Sequence, residues 1–215
     1  PVNGVAGYNF DDLMVRTICL NALNGQSSLS FGRDEGATVR LRAVQTIEAG
    51  TKFELKVDGH SFEGVIPLLG EHQAMNAAAA VAVGLALGIP VQEMLDGLSS
   101  VSLPGGRMRR VSAASGFEII DDAYNANPGS VSASITTVSG LAGNRTWSCI
   151  LGDMLELGDK AKTYHREIGR IAGGSGAVEV WAVGEFAELV AEGARSQGAD
   201  VQTFKNTDSA LEYVS

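Results

Sequence analysis

The chain has 215 residues, 45% of them hydrophobic and 19% charged, enough apolar material for one large core or two small ones. A formal net charge of -9 and an isoelectric point of about 4.8 set it against a nucleic-acid partner. The alanine-rich run at 77–89 falls short of the roughly 18 apolar residues that span a bilayer. Arg outnumbers Lys, which favours bidentate anion binding by the scarce cations. Cys19 and Cys149 lie far apart in apolar surroundings and read as buried thiols of a reducing compartment, hence a cytoplasmic protein. No signal-peptide pattern opens the chain. A first residue of Pro rather than Met reads as the middle of a longer protein.

In chain order, Val15-Arg16-Thr17-Ile18-Cys19-Leu20 reads as a strand, Phe31-Gly32-Arg33-Asp34 as a turn, and Asn9-Phe10-Asp11-Asp12 as a solvated loop. Residues 37–68 alternate: Val39, Leu41 and Ala43 oppose Thr38, Arg40 and Arg42, and Phe53, Leu55 and Val57 oppose Lys52, Glu54 and Lys56. Asp58-Gly59 is a strong hairpin signal, with Phe62, Val65, Ile66 and Leu68 on the return strand. This predicts an antiparallel patch with one wet face. His60 sits beside the turn as an exposed loop residue. A helix opens at Gly70-Glu71-His72-Gln73-Ala74-Met75-Asn76 and ends at Gly88 before Pro90. Its small face, Ala77, Ala78, Val81, Ala82 and Leu85, suits close packing on a sheet. Asn76 is a weak helix former among alanines, and its amide both donates and accepts, as the edge of a purine requires. An exposed amide near a helix start is the plainer reading. A short helix covers roughly 91–98.

Ser99-Ser100-Val101-Ser102-Leu103-Pro104-Gly105-Gly106 is the best linker and divides the chain at 1–102 and 103–215. Arg107 stands directly behind it, where a guanidinium could swing onto a phosphate and hold it by two parallel hydrogen bonds. A basic interdomain loop is again the plainer reading. Beyond the linker, 111–113 and 117–121 pair as a hairpin, followed by a helix from Pro128 to about Leu141. Asn127 is a good N-cap and Pro128 suits the first helical position. Phe117-Glu118-Ile119-Ile120-Asp121 reads as a buried strand running into Asp122-Ala123-Tyr124-Asn125-Ala126-Asn127, a dense polar loop at a strand's carboxyl end, where open α/β sheets bind ligands. Strands at 147–151, 178–183 and 201–204 alternate with helices at 162–172, 186–196 and after a Thr207 cap. This predicts a parallel sheet covered on both faces. The loop Gly152-Asp153-Met154-Leu155-Glu156-Leu157-Gly158 is a second strand-tip loop, and His165 reads as a solvated or capping side chain. The C-terminus, like the start, looks cut.

Taken together, four segments resemble the Mur ligase family: the 70–76 element with its alanine run, Pro104 to Arg107, Ile120 to Pro128, and Leu151 to Gly158 with the later His165. The third and fourth are similar to the D-alanyl-D-alanine-adding branch. The resemblance covers about 50–215. It implies an α/β chain comprising the end of a P-loop ATPase-type central domain followed by a Rossmann-like, mainly parallel C-terminal domain. It implies a monomeric, ATP- and Mg2+-dependent ligase of peptidoglycan synthesis that joins D-Ala-D-Ala to UDP-MurNAc-tripeptide through an acyl phosphate. Position by position, Asn76 would bind adenine, Arg107 would reach the nucleotide and act on the transferred phosphoryl group, and Asp122 would take the ribose hydroxyls. Tyr124, Asn125, Asn127, Asp153 and Glu156 would line the dipeptide side, and His72 would be structural.

Gln73 stands where the family carries its first Asn. No Gly-x-x-x-x-Gly-Lys-[Ser/Thr] occurs, since no Lys here follows a Gly, so the phosphate-cradling loop and the metal ligands are expected outside this chain, which alone should not turn over. Two alternatives stay open: a non-catalytic nucleotide-binding or interaction module of Mur ancestry, and another Mur-type ligase such as a folylpolyglutamate synthase.

Overall fold

The computed structural model describes residues 4–23, 25–102, 105–113 and 116–214, and tertiary contacts divide the chain into two units, 1–103 and 104–215. In the first, strands β1 (Ala6–Asn9), β2 (Ser28–Gly32), β3 (Val39–Ile47), β4 (Gly50–Val57) and β5 (His60–Ile66) stand side by side in sequence order. The β1–β2 and β2–β3 pairs are parallel, and the other two are antiparallel. The Asp58-Gly59 turn has φ of 47° and 82°, the left-handed pair that a two-residue hairpin requires. The alternation holds with one slip. A bulge between Leu41 and Ala43 moves Ala43 to the exposed side and brings Val44 against the core instead, because one extra residue reverses the side-chain phase.

The segment read as a strand at 15–20 is helical: α1 spans Leu13–Leu23. Its β-branched residues favour a strand, but Asp12 Oδ1 accepts the Val15 N–H at 2.9 Å and caps the helix. Nor are the neighbouring acids merely solvated. Both Asp11 carboxylate oxygens accept the Arg33 N–H, which fixes the bend after β2.

Helix α2 (Glu71–Ala86) lays Ala77, Ala78, Val81 and Ala82, all enclosed, on Val39, Leu41, Phe53 and Leu55. Its entry is pinned by the buried Thr51, whose hydroxyl donates to the Leu68 carbonyl (2.7 Å) and accepts from the Gly70 N–H (3.1 Å). Helix α3 (Val91–Leu98) closes this core with Leu95.

In the second unit, β6 (Arg109–Ser112) and β7 (Glu118–Asp121) form an antiparallel pair. Positions 114 and 115 of the predicted turn lie outside the described residues. Next come α4 (Pro128–Ala142), β8 (Ser148–Leu151), α5 (Ala161–Gly173), β9 (Glu179–Val183), α6 (Ala187–Arg195), β10 (Asp200–Phe204) and α7 (Thr207–Val214). Strands β8, β9 and β10 form a parallel sheet in the order β10-β9-β8. Val180, Ala182 and Val201 join Ile168 and Ala172 of α5 and Val190, Ala191 and Ala194 of α6 in one core. The α5–α6 pair packs backbone to backbone: a Cβ on Gly169 would overlap the Val190 carbonyl, and one on Gly193 the Arg166 carbonyl.

Four expectations are corrected here. The strand leading into the acidic loop is not buried, with Phe117 71% and Ile119 49% exposed, because β7 pairs only with β6 and does not join the three-stranded sheet. Cover of that sheet is uneven. Trp181, Phe204 and Tyr213 of α7 cluster at centroid distances of 5.3–5.5 Å on the face opposite Val180, while Ile150 of β8 is 68% exposed. The cap of α7 is Asn206, whose side chain accepts the Ser209 N–H at 2.9 Å, one residue before the expected Thr207. Cys19 and Cys149 are half-buried rather than enclosed.

Candidate functional site

The acidic strand tip is a local hydrogen-bonded structure. Asp121 Oδ2 accepts the Gly106 N–H (3.1 Å), and the Gly106 carbonyl accepts the Tyr124 N–H (2.9 Å). Asp122 Oδ1 accepts the Met108 N–H at 3.0 Å, and its Oδ2 takes the Ser134 hydroxyl of α4. Two adjacent carboxylates thus clasp residues 106–108 from one side. The clasped segment needs left-handed backbone twice, at Gly106 (φ 77°) and at Met108 (φ 51°). The first suits glycine, and a Cβ there would lie 2.9 Å from the Tyr124 nitrogen. At Met108 the side chain is buried and its N–H is spent on Asp122, so packing and a charge-assisted hydrogen bond oppose the strain.

Between these two residues Arg107 is exposed, and its guanidinium carbon stands 4.2 Å above the centre of the Tyr124 ring. The cation stacks on an aromatic face of the same loop, an arrangement suited to Arg because its planar ion is weakly hydrated. Asn125 is exposed, with its side-chain oxygen accepting the Ala126 N–H (3.0 Å). Asn127 caps α4: its Oδ1 accepts the Ser130 N–H at 3.0 Å, and the Ser130 hydroxyl accepts the Asn127 N–H at 3.0 Å. Asn127 therefore positions the helix start, which limits what its oxygen can offer a ligand.

The second loop differs from its reading. Asp153 points inward, its Oδ2 accepting the Glu185 N–H (2.8 Å) and Oδ1 the Phe186 N–H (3.0 Å). Glu156 is exposed at a left-handed φ of 61°. His165 is neither solvated nor exposed: it is fully enclosed. Ala126, of the first loop, and Met154, of the second, pack on the same core.

In the first unit Asn76 is exposed on α2, and its Nδ2 donates to Gln73 Oε1 at 3.2 Å. Gln73 in turn lies 3.1 Å from the His72 ring nitrogen Nε2. The amide is therefore at the surface, in a short polar row at the helix start. Among the described residues, no group of three His, Cys, Asp or Glu side chains could hold a metal ion, and no helix is long and apolar enough to cross a membrane.

Comparison with known proteins decides the family. The Mur ligase glutamate ligase domain matches residues 106–215, and the Mur ligase middle domain matches 1–84. The chain belongs to the Mur ligase family. It is 36% identical over 192 residues to the UDP-N-acetylmuramoyl-tripeptide–D-alanyl-D-alanine ligase of Bacillus subtilis, covering 89% of this chain and 40% of that protein. The enzyme of the same name from Escherichia coli is 31% identical over 147 residues, covering 68% of this chain and 32% of that protein. Among solved structures, a MurF crystal structure from Acinetobacter baumannii superposes with a TM-score of 0.84 at 29% identity, covering 99% of this chain and 45% of the other. A MurF ligase from Thermotoga maritima in complex with ADP shares the fold, with a TM-score of 0.74 at 24% identity. The chain spans about two fifths of the length of the curated relatives from Bacillus subtilis and Buchnera aphidicola.

Within this Mur ligase chain, four residues that build the site were not singled out by role in the sequence. Gly106 was legible as a glycine and Asp121 as half of an acidic pair, but neither spacing nor type revealed that they bond each other. Met108 in a left-handed conformation carries no sequence signal. Ser134 reads as an ordinary helix serine, although it holds the second oxygen of Asp122.

Proposed function

We propose that this chain is part of an ATP-dependent ligase that joins D-Ala-D-Ala to UDP-MurNAc-tripeptide in cytoplasmic peptidoglycan synthesis, with 1–102 the later part of its central domain and 103–215 its C-terminal domain. The observation that carries the reading is the Arg107 guanidinium, exposed on a backbone segment locked by Asp121 and Asp122. A cation held this way is preorganised for an anion that arrives from outside. Preorganised charge is what phosphoryl transfer asks of a protein.

In this reading the tripeptide carboxylate attacks the γ-phosphorus of ATP, ADP leaves, and the resulting acyl phosphate is attacked by the amine of D-Ala-D-Ala. Collapse of the tetrahedral intermediate forms the amide and releases phosphate. Arg107 pairs two N–H groups with the phosphoryl oxygens as charge develops. Each Asp122 oxygen already accepts one hydrogen bond and has a second acceptor position, which fits a ribose hydroxyl. Asn76, exposed on α2, offers an amide to adenine. Tyr124, Asn125 and Glu156 lie on the dipeptide side. No phosphate-cradling glycine loop is found in the sequence, and the described residues offer no triad for Mg2+. Those parts of the chemistry are assigned to residues of the whole enzyme outside this chain, and no step here is routed through the metal.

The test is an assay on the full-length protein carrying this chain, with ATP, UDP-MurNAc-tripeptide and D-Ala-D-Ala. The expected result is ADP release that requires both co-substrates, with a product of the mass of the pentapeptide. ADP release with a single amino acid and not with the dipeptide would replace this reading with that of another Mur-type ligase.

A further inference from the structure

We propose that His165 and Asp153 are positioning residues that hold the 152–157 loop as a preformed platform presenting Glu156 to the ammonium group of the incoming dipeptide. The proposal rests on the ligase reading above.

His165 is the one histidine with no exposed surface among those described. Its Nε2 accepts the Met154 N–H at 2.9 Å, and its Nδ1 lies 2.7 Å from the Ala161 carbonyl. A carbonyl can only accept and a backbone N–H can only donate. The ring is therefore neutral, with the proton on Nδ1 and the lone pair on Nε2. Phe186 stacks on it at 4.3 Å, with the rings inclined by 25°. The neighbouring Asp153 bonds Glu185 and Phe186 N–H groups at the start of α6, where a carboxylate also meets the positive end of the helix dipole.

Two consecutive loop residues are thus tied to two different helices, Met154 to α5 and Asp153 to α6. Met154 is buried, Leu157 packs on the core, and between them Leu155 is 74% exposed. Glu156 completes the hump in the left-handed region, followed by Gly158 at φ 54°. A loop anchored on both flanks offers its exposed carboxylate in one place, and that preorganisation lowers the ordering cost of binding a cation. A core needing only volume would be filled by an apolar residue at 165. The imidazole instead uses its one lone pair on the loop backbone. Asp153, whose two oxygens face α6, acts through the loop rather than by touching substrate.

The test compares wild-type full-length enzyme with His165→Leu and His165→Gln, whose amide oxygen can take the Met154 N–H. Loss of one buried hydrogen bond from the platform should raise KM for D-Ala-D-Ala about tenfold. KM for ATP should be unchanged in His165→Leu, and His165→Gln should recover most of the loss. An unchanged dipeptide KM in His165→Leu, or equal rises in both KM values, overturns the proposal. A wild-type enzyme that does not ligate refutes the ligase reading instead. The anchor itself is checked without any variant, by long-range proton–nitrogen NMR of the wild-type imidazole. A protonated Nδ1 with a bare Nε2 is expected, and the opposite tautomer overturns the proposal even if His165→Leu does not fold.

Discussion

Asp122→Ala removes the acceptor of the Met108 N–H and of the Ser134 hydroxyl in one step. Hydrogen bonds to a charged partner contribute about 1.5–3 kcal/mol each, and a buried donor left unpaired costs about 1–3 kcal/mol. The Met108 N–H belongs to a buried residue already in a strained conformation. Ser134 is less affected, because its hydroxyl proton can turn to the Ser130 carbonyl, 2.9 Å away. The loss should therefore be closer to one full bond than to two, roughly 2–3 kcal/mol, or a fall in melting temperature of roughly 10 °C for a unit of this size. Asp122→Asn keeps an oxygen for Met108 and should lose less than about 1 kcal/mol. Denaturant unfolding of the 215-residue chain, followed by circular dichroism, provides the comparison. If Asp122→Ala unfolds at the wild-type midpoint, the carboxylate does not clasp residues 106–108, and the preorganisation of Arg107 loses its basis.

Tyr124→Leu removes the ring beneath Arg107, a contact that contributes about 0.5–1 kcal/mol at an exposed site; turnover should fall about threefold, Tyr124→Phe should stay near wild type, and steady-state kinetics of the full-length enzyme reads both. Gly169→Ala forces a methyl into the Val190 carbonyl, and overpacking against backbone should destabilise by about 2–3 kcal/mol, measured by thermal unfolding. Burial pushes the Cys149 thiol up to about 12. Little thiolate is then present at pH 8, so iodoacetamide should label Cys149 much more slowly in the folded chain than in denaturant, as peptide mass mapping would show. Arg166 hydrogen-bonds Glu192 and holds its carboxyl below the usual carboxylate range. Its contribution is present above the unfolded pKa and is lost as pH falls through the lower folded value, so Glu192→Gln should narrow the stability difference between neutral and acid pH.

The parts of the fold that were legible in the sequence are those where local chemistry and tertiary packing agree. Asp58-Gly59, the alanine face of α2 and the Asn127-Pro128 start of α4 each name their own conformation through turn, packing or capping preferences. Misreadings fell where a single contact outweighs a propensity. One Asp12 cap turns a β-branched segment into α1, and one extra residue at the Leu41–Ala43 bulge reverses a face. The exposure of Phe117 and Ile119 follows from which strands pair, and pairing is not written in a strand's own residues. The candidate site divides in the same way. Arg107, Asp122 and Tyr124 were visible as chemistry-bearing side chains, and the structure places them in one loop cluster. The enclosure of His165 is not legible in the sequence, because a histidine on an amphipathic helix carries no mark of which side it faces. The anchoring role of Asp153 is hidden in the sequence because its partners, the N–H groups of Glu185 and Phe186, lie more than thirty residues away in the chain.

The measurement that most directly tests the account is acyl-phosphate formation by the full-length enzyme, with Arg107→Ala compared with wild type in a single turnover without dipeptide. Loss of a charge-assisted contact to the transferring group should slow the step at least about a hundredfold. Arg107→Lys should not restore it, because a point charge lacks the two-pronged geometry. A rate for Arg107→Ala within about twofold of wild type would contradict the account, for the guanidinium over Tyr124 would then be an ornament of the loop and not the group that meets the phosphoryl.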